Sequence, residues 1–113
     1  MLRIDRHCIE EYAPSAEEAA ALGMPFEELR QRTLRRGRGC LQCRQTGYSG
    51  RDGFFEILPM TVTIRRLVAE HADSARLFAA ARQEGMRTLH EAGVDKVLQG
   101  VTTVSEMVRV AGF

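Results

Sequence analysis

The sequence predicts an α+β fold that is mostly helical, because its hydrophobic pattern changes near Pro59. Before Pro59, glycines separate short apolar runs such as Phe54–Leu58, a pattern that is typical of turns and short strands. From Thr61 onward, apolar residues recur at the spacing of a helix face. We therefore expect a lobe with short strands over residues 1–58 and a small helical bundle over residues 59–113.

The first half of the chain contains two predicted helices and two predicted strands. A capping box of the type S-x-x-E begins a helix over Ser15–Leu22, and Gly23 ends it. A second helix, Phe26–Arg32, follows a proline and has its acidic residues early and its arginines late, as the helix dipole favours. Thr33–Arg36 is predicted as a short strand, and Phe54–Leu58 is the best strand candidate in the chain.

The second half is predicted to contain four helices. Thr61 is a suitable N-cap for the first, and Ser74 begins the second. The third covers Met86–Gly100 and contains Gly93, which costs about 1 kcal/mol relative to alanine inside a helix. Gly93 therefore predicts close packing or a break at that point. A second capping box, T-x-x-E from Thr103, begins the last helix.

Composition limits the class of protein. The chain has 113 residues and a formal net charge of +1, which fits one domain or a small lobe with a helical tail. Three cysteines, an odd number, argue against a secreted disulfide framework and favour a reducing cytoplasm. No apolar run approaches a membrane span, and the N-terminus lacks the apolar core of a signal peptide.

The stretch Gly39–Glu56 contains a CxxC pair, Cys40 and Cys43, followed by a glycine-rich turn. Two residues between thiols let both sulfurs face one point, as in metal and redox sites. Upstream, Asp5-x-x-Cys8 has the same spacing, so the two pairs match a two-knuckle zinc ribbon in which a carboxylate replaces one thiolate. A redox function is less favoured, because glycines surround the pair and no βαβ unit is visible.

Two alternatives to this ligand set stay open. His7 is another candidate for the fourth ligand, although adjacent His7 and Cys8 side chains rarely aim at one ion, so Asp5 ranks ahead of it. The other alternative is a decayed site, in which the thiols are buried or free and the fold stands without metal.

Charges are unevenly distributed, since acids dominate residues 10–28 and seven arginines lie within residues 30–51 without any acid. Such a basic run beside a knuckle suggests a small zinc-ribbon nucleic-acid-binding regulator as an alternative function. Against this, Tyr48 is the only aromatic residue among the arginines, and the overall charge is nearly neutral. A solvated or subunit-facing basic surface is the simpler interpretation.

Motifs for conventional catalysis are absent from the sequence. It contains no GxxxxGK[ST] phosphate loop, no GxGxxG after a strand and no HExxH. The histidines at 7, 71 and 90 lie in different predicted segments. We therefore predict no catalytic residues and no nucleotide hydrolysis by this chain alone.

Four segments carry the motifs of a known family. They are Ile4–Cys8 with Tyr12; Gly39–Cys43 with Thr46–Gly53 and Glu56; Gly85–Leu89 with Gly93, Lys96 and Gly100; and Thr102–Thr103 with Glu106 and Arg109–Val110. The second is similar to the signature GCxxCxxTGYxGRxGxxE. The chain resembles the C-terminal region of the type II secretion and type IV pilus assembly ATPases, and the resemblance covers essentially its whole length.

This resemblance implies a tetracysteine zinc subdomain and a C-terminal helical part that follow a RecA-like nucleotide-binding core. The family's zinc ligands map onto Cys8, Cys40 and Cys43, and Asp5 stands where the family has its remaining cysteine. The family is a hexameric ATPase on the cytoplasmic face of the inner membrane that couples ATP hydrolysis to pilus or pseudopilus assembly. Its Walker motifs would lie upstream of this chain, which we therefore expect to be a detached piece without ATPase activity.

The role implied for such a piece is structural. It would shape the subunit surface of the motor and dock it to the inner-membrane components of the secretion or pilus platform. An adaptor that joins a larger ATPase hexamer in trans is an alternative of the same kind.

Overall fold

The computed structural model describes residues 1–111, which contain four strands and six helices. The α+β class predicted from the sequence is confirmed. The chain forms two compact units, one made of Met1–Phe54 with the chain from His90 onward, and the other of Phe55–Leu89. The expected division into residues 1–58 and 59–113 stays a prediction.

The strands lie in the first unit and form two antiparallel pairs. β1 (Leu2–Ile4) pairs with β4 (Tyr48–Arg51), and β2 (Ile9–Tyr12) pairs with β3 (Leu34–Gly37). The β2–β3 pair is therefore nested between the strands of the β1–β4 pair along the chain. This nesting places the β1–β2 turn next to the β3–β4 turn.

One strand prediction is confirmed and one is wrong. The strand expected at Thr33–Arg36 is β3, displaced by one residue. Phe54–Leu58 has no strand, and the residues that pair with β1 are Tyr48–Arg51, inside the glycine-rich turn. Apolar content favoured the later run, but a strand needs a partner with free hydrogen-bonding groups, and the register with β1 provides one only for β4.

The helices are bounded as follows: α1 Ala16–Leu22, α2 Phe26–Leu29, α3 Val62–Ala69, α4 Ser74–Gln83, α5 Leu89–Leu98 and α6 Val104–Ala111. The capping box of α1 is confirmed, since Ser15 Oγ accepts from the N–H of Glu18 while Glu18 Oε1 accepts from the N–H of Ser15. Gly23 ends α1 in the left-handed conformation, with φ of 70°. This conformation favours glycine and explains its use there.

The core of the first unit consists of aliphatic residues from its helices and from β3. Its buried members are Ala19, Leu22, Leu29, Leu34, Val97, Val104 and Met107. Gly93 lies where α5 packs on α6, and a Cβ atom there would lie 2.7 Å from Met107 Cγ. Close packing, one of the two alternatives predicted for Gly93, is therefore confirmed, and α5 is continuous through it.

The second unit contains α3 and α4. Thr61 caps α3 as predicted, because its Oγ1 accepts from the N–H of Ile64. Helix α4 begins at Ser74, but its N-cap is Asp73, whose carboxylate accepts from the N–H of Arg76. No helix among residues 1–111 is both long and apolar enough to cross a membrane.

The second predicted capping box is only half formed. Thr103 Oγ1 accepts from the N–H of Glu106, as expected for an N-cap. The carboxylate of Glu106 instead accepts from the N–H of Leu2 at 3.0 Å and from Arg109 Nε at 2.9 Å. Glu106 is 4% exposed, and the hydrogen bonds from Arg109 lower the pKa of its carboxyl. This buried carboxylate therefore ties β1 to α6.

We predict that Glu106→Gln lowers the free energy of unfolding at pH 7 by about 1–3 kcal/mol, because an ionic acceptor of three hydrogen bonds is lost. A carboxyl whose pKa is lowered by folding stabilises the protein above its unfolded pKa, about 4.3, and this stabilisation is lost as the pH falls through the folded pKa. The difference between the two proteins should therefore shrink below about pH 4. Urea unfolding across pH measures it.

Glu17→Gln is the matched control, since Glu17 also lies in the first turn of a helix but is exposed. An equal loss of stability in both variants, or a loss for Glu106→Gln that does not depend on pH, would contradict this account of Glu106.

Candidate metal centre

The nested strand pairs bring together the four residues proposed as ligands from the sequence. Asp5 and Cys8 belong to the turn between β1 and β2, and Cys40 and Cys43 belong to the turn between β3 and β4. Their ligand atoms, one carboxylate oxygen and three sulfurs, all lie within 4.8 Å of one another. The structure thus brings together, from distant parts of the chain, the four residues that the two x-x spacings indicated.

The distances within this cluster are short. Asp5 Oδ2 lies 3.0 Å from Cys40 Sγ and 3.4 Å from Cys8 Sγ. Cys43 Sγ lies 3.8 Å from Cys8 Sγ and 3.6 Å from Cys40 Sγ. Asp5, Cys8 and Cys43 are each at most 7% exposed. These are free thiols and not disulfides.

These donors fit a tetrahedral divalent metal. Zinc–sulfur bonds of about 2.3 Å in a tetrahedron give sulfur–sulfur edges of about 3.8 Å, and a shorter zinc–oxygen bond gives shorter edges to oxygen. The cluster has the same ordering, with sulfur–sulfur distances of 3.6 and 3.8 Å and oxygen–sulfur distances of 3.0 and 3.4 Å. Three soft thiolates with one carboxylate form a donor set that zinc accepts.

Backbone N–H groups point at two of the sulfurs. The N–H of Gly39 donates to Cys8 Sγ at 3.3 Å, and those of Cys40 and Gly47 donate to Cys43 Sγ at 3.3 and 3.2 Å. Such hydrogen bonds stabilise negative charge on sulfur, which is the form that binds metals. The knuckle backbone is therefore arranged to support thiolates.

The pKa values of these groups follow from the same contacts. Burial raises the pKa of Cys43, but the N–H donors from Cys40 and Gly47 outweigh it, and the net result is a pKa of about 7. The pKa of Cys40 is raised to about 12, chiefly because its thiol donates to Asp5. That same hydrogen bond holds the pKa of Asp5 well below its usual range. Without metal, Asp5 is therefore the principal anion of the cluster, and metal binding must displace thiol protons.

Gly47 lets the two turns approach at backbone distance. The N–H of Asp5 donates to Gly47 O at 2.9 Å. A Cβ added to Gly37 would lie 2.0 Å from the same Gly47 oxygen. Gly47 itself has φ of 82°, a conformation that favours glycine. The glycine of the CxxCxxTG sequence is thus required by the contact that joins the knuckles.

His7 is not part of the cluster of donor atoms. Its Nδ1 lies 3.0 Å from Asp5 Oδ1, the oxygen that faces away from the sulfurs, and its side chain is 48% exposed. Asp5, and not His7, thus places an oxygen among the three sulfurs, and the role of Asp5 as the fourth donor stays a prediction. The sequence analysis missed the hydrogen bond itself, which the spacing Asp-x-His next to a ligand position could have suggested.

Three of the seven arginines in the arginine-rich segment, Arg30, Arg35 and Arg36, form ion pairs with acids of the same unit. Arg36 Nε lies 3.0 Å from Glu10 Oε1, and its guanidinium stacks 4.6 Å from the centre of the Tyr12 ring. Arg35 pairs with Glu11 at 3.8 Å across the same two strands. These ion pairs reduce the charge free for nucleic acid and support the interpretation of the run as a protein surface.

The turn after the knuckle connects the cluster to the helices. Tyr48 Oη lies 2.6 Å from Thr103 Oγ1, at the beginning of α6. Asp52 accepts hydrogen bonds at 3.2 Å from Lys96 of α5 and from Arg3 of β1. The motifs found far apart in the sequence are therefore in contact within one unit.

The family model described as Type II/IV secretion system protein matches residues 2–109 of this sequence. The chain belongs to this family. The match includes both knuckles, the glycine-rich turn and most of α6, so the resemblance stated from the motifs is confirmed.

Individual members of the family are similar over most of this chain. It is 36% identical to a type IV pilus assembly ATPase, PilB, of Thermus thermophilus over 93% of its length. It is 37% identical to the type II secretion system protein E of Pseudomonas aeruginosa over 91%, and 47% identical to the protein transport protein HofB homolog of Escherichia coli over 66%. The chain spans only 12%, 20% and 16% of these relatives, respectively.

Proposed function

We propose that this chain is the non-catalytic C-terminal portion of a type II secretion or type IV pilus assembly ATPase, with a structural and docking role. The observation that carries the proposal is the buried cluster of Asp5, Cys8, Cys40 and Cys43 within a family match over residues 2–109. Relatives named as pilus assembly ATPase and type II secretion protein support the assignment to this class of motor.

The proposed cofactor is one zinc ion, held by Asp5, Cys8, Cys40 and Cys43 in a zinc-ribbon-like lobe. Four protein donors leave no open position for water or substrate, which is typical of structural and not of catalytic zinc. When bound, the ion would supply a crosslink between the β1–β2 and β3–β4 turns. The chain supplies the N–H donors to Cys8 and Cys43 and buries three of the four residues, Asp5, Cys8 and Cys43.

We predict that the chain purified without chelators contains about one equivalent of zinc, because tetrahedral sites with several thiolates bind zinc tightly. Cys40→Ser and Cys43→Ser should each reduce the zinc content strongly and lower the thermal midpoint of the protein, and removal of the metal from the parent should have the same effect. Elemental analysis and thermal unfolding with and without a chelator measure both.

His71→Asn serves as the control, since His71 lies outside the cluster and its φ of 57° is one that asparagine tolerates. Less than about a tenth of an equivalent of zinc in the parent chain would eliminate the metal proposal and leave the decayed-site alternative.

We predict that the purified chain hydrolyses no ATP, because its sequence has no phosphate-binding loop. Phosphate release should equal the blank, while a full-length type IV pilus assembly ATPase in the same assay turns over. Turnover by the pure chain that disappears with one substitution, such as Asp5→Asn, would show that the chain is catalytic and overturn this part of the proposal.

The docking role is assigned to the tip of the second knuckle. Leu41, between the two cysteines, is 87% exposed, and Arg38 and Arg44 beside it are also exposed. An exposed leucine flanked by cations suits a protein surface with an apolar pocket rimmed by acids. We assign this partner surface to inner-membrane components of a secretion or pilus platform, which would place the chain on the cytoplasmic side of the inner membrane, peripheral to it.

We predict that Leu41→Glu weakens binding to the cytoplasmic region of such a platform protein by at least about tenfold, as for the loss of a central apolar anchor. Val62→Glu is the matched control, because Val62 is 82% exposed and also aliphatic but lies in the second unit. Interferometry with the parent and both variants measures this binding. Equal binding by the parent and Leu41→Glu would remove the knuckle tip from the proposed interface.

A further inference from the structure

The two oxygens of Asp5 have different partners. Oδ2 faces the thiols, 3.0 Å from Cys40 Sγ and 3.4 Å from Cys8 Sγ. Oδ1 faces the other way and lies 3.0 Å from Nδ1 of His7. The carboxylate, 1% exposed, is thus held between the sulfur cluster on one side and an imidazole on the other.

We infer that His7 is a positioning residue that makes Asp5 a one-oxygen ligand, so that a carboxylate can stand in the place of a cysteine. The inference rests on the proposed metal binding and adds to it a residue that is not itself a ligand. It assigns Oδ2 to the metal and Oδ1 to His7.

The direction of this hydrogen bond follows from the chemistry of the two groups. A metal-bound carboxylate has no proton and only accepts hydrogen bonds, so Nδ1 of His7 must carry the hydrogen. A residue that hydrogen-bonds a metal ligand without binding the metal fixes the orientation of that ligand. Removing such a residue typically lowers metal affinity about 10–100-fold.

Occupation of Oδ1 also limits the coordination number. A cysteine offers one sulfur, whereas a carboxylate has two oxygens and is able to bind a metal through both. With Oδ1 bound to His7, Asp5 contributes a single donor atom, and the set stays at four: one oxygen and three sulfurs. Four donors match the tetrahedral preference of zinc in structural sites.

His7 is placed so that this role can be tested without disturbing the fold. Its side chain is 48% exposed and lines a cleft of about 310 Å³ with Arg3, Arg6 and Ser49. Because it packs little, its replacement should leave the secondary structure and the apolar core unchanged. Effects on metal binding are then attributable to the contact with Asp5.

The experiment compares His7→Leu with His7→Asn in the full chain. Leucine and asparagine have similar size and shape, but the asparagine amide places an N–H near the position of Nδ1, whereas leucine has no donor. Zinc affinity, measured by competition with a chromophoric chelator, should fall about 10–100-fold for His7→Leu and stay close to the parent for His7→Asn. Circular dichroism of the metal-free proteins checks that both fold.

Two further measurements separate positioning from a general structural effect. Cobalt(II) bound to the parent should show the intense visible absorption of a four-coordinate ion, and His7→Leu should weaken that absorption as the second oxygen enters. In an Asp5→Cys background the fourth donor is one sulfur, so His7→Leu should there change zinc affinity little.

The outcomes distinguish the inference about His7 from the proposal of metal binding on which it rests. If the parent binds neither zinc nor cobalt, both fail. If the parent binds zinc but His7→Leu has the parent's affinity and cobalt spectrum, only the role of His7 is overturned. The same holds if His7→Leu lowers zinc affinity in the Asp5→Cys background by as much as it does in the parent. A His7→Asn variant as weak as His7→Leu also overturns it.

Discussion

The structure of the first unit depends on the close approach of two turns at Gly47. The carbonyl of Gly47 accepts from the N–H of Asp5. The same carbonyl lies where a side chain on Gly37 would have to be. The N–H of Gly47 donates to Cys43 Sγ, so one residue connects the backbone contact to the sulfur cluster. No residue larger than glycine fits both requirements, because a side chain would clash and the positive φ would be strained. The backbone contacts at Gly47 therefore bring the two turns together, and the donor side chains are positioned by that contact.

In the proposed zinc site, a carboxylate in place of a thiolate leaves the formal charge of the ligand set unchanged, since each ionised donor carries one negative charge. What changes is the geometry, because two oxygens at the end of a side chain that is one bond longer replace one sulfur. In our proposal the hydrogen bond from His7 to Oδ1 leaves one oxygen available as a donor, and the backbone contact of Asp5 with Gly47 keeps its side chain near Cys40. The proposed difference in one ligand would thus be accommodated by contacts on both sides of Asp5.

The sequence predicted the members of the cluster but not how they are held. Equal x-x spacings at Asp5-x-x-Cys8 and Cys40-x-x-Cys43 were sufficient, because spacing determines which side chains share the face of a turn. The strand at Phe54–Leu58 was wrong because pairing depends on a distant partner, β1, that hydrophobicity does not identify. Similarly, the local motif correctly placed Thr103 as a cap, whereas the carboxylate of Glu106 was taken by Leu2, a contact across most of the chain. Long-range partners were the part that local pattern could not provide.

The same long-range contacts connect both knuckles to the core of the first unit. Leu29 and Leu34, at the base of the β2–β3 pair, are fully buried in a core that also contains Met107 of α6. Glu106 connects β1 to α6 by a hydrogen bond, and Tyr48 connects β4 to the beginning of α6 by its contact with Thr103. Because both strand pairs are anchored by contacts outside the cluster, we expect much of the ordering of the turns to precede the binding of a metal ion. The proposed site would then need less from each ligand than one in a domain that folds only around its metal, and we expect it to tolerate a carboxylate at the position of Asp5.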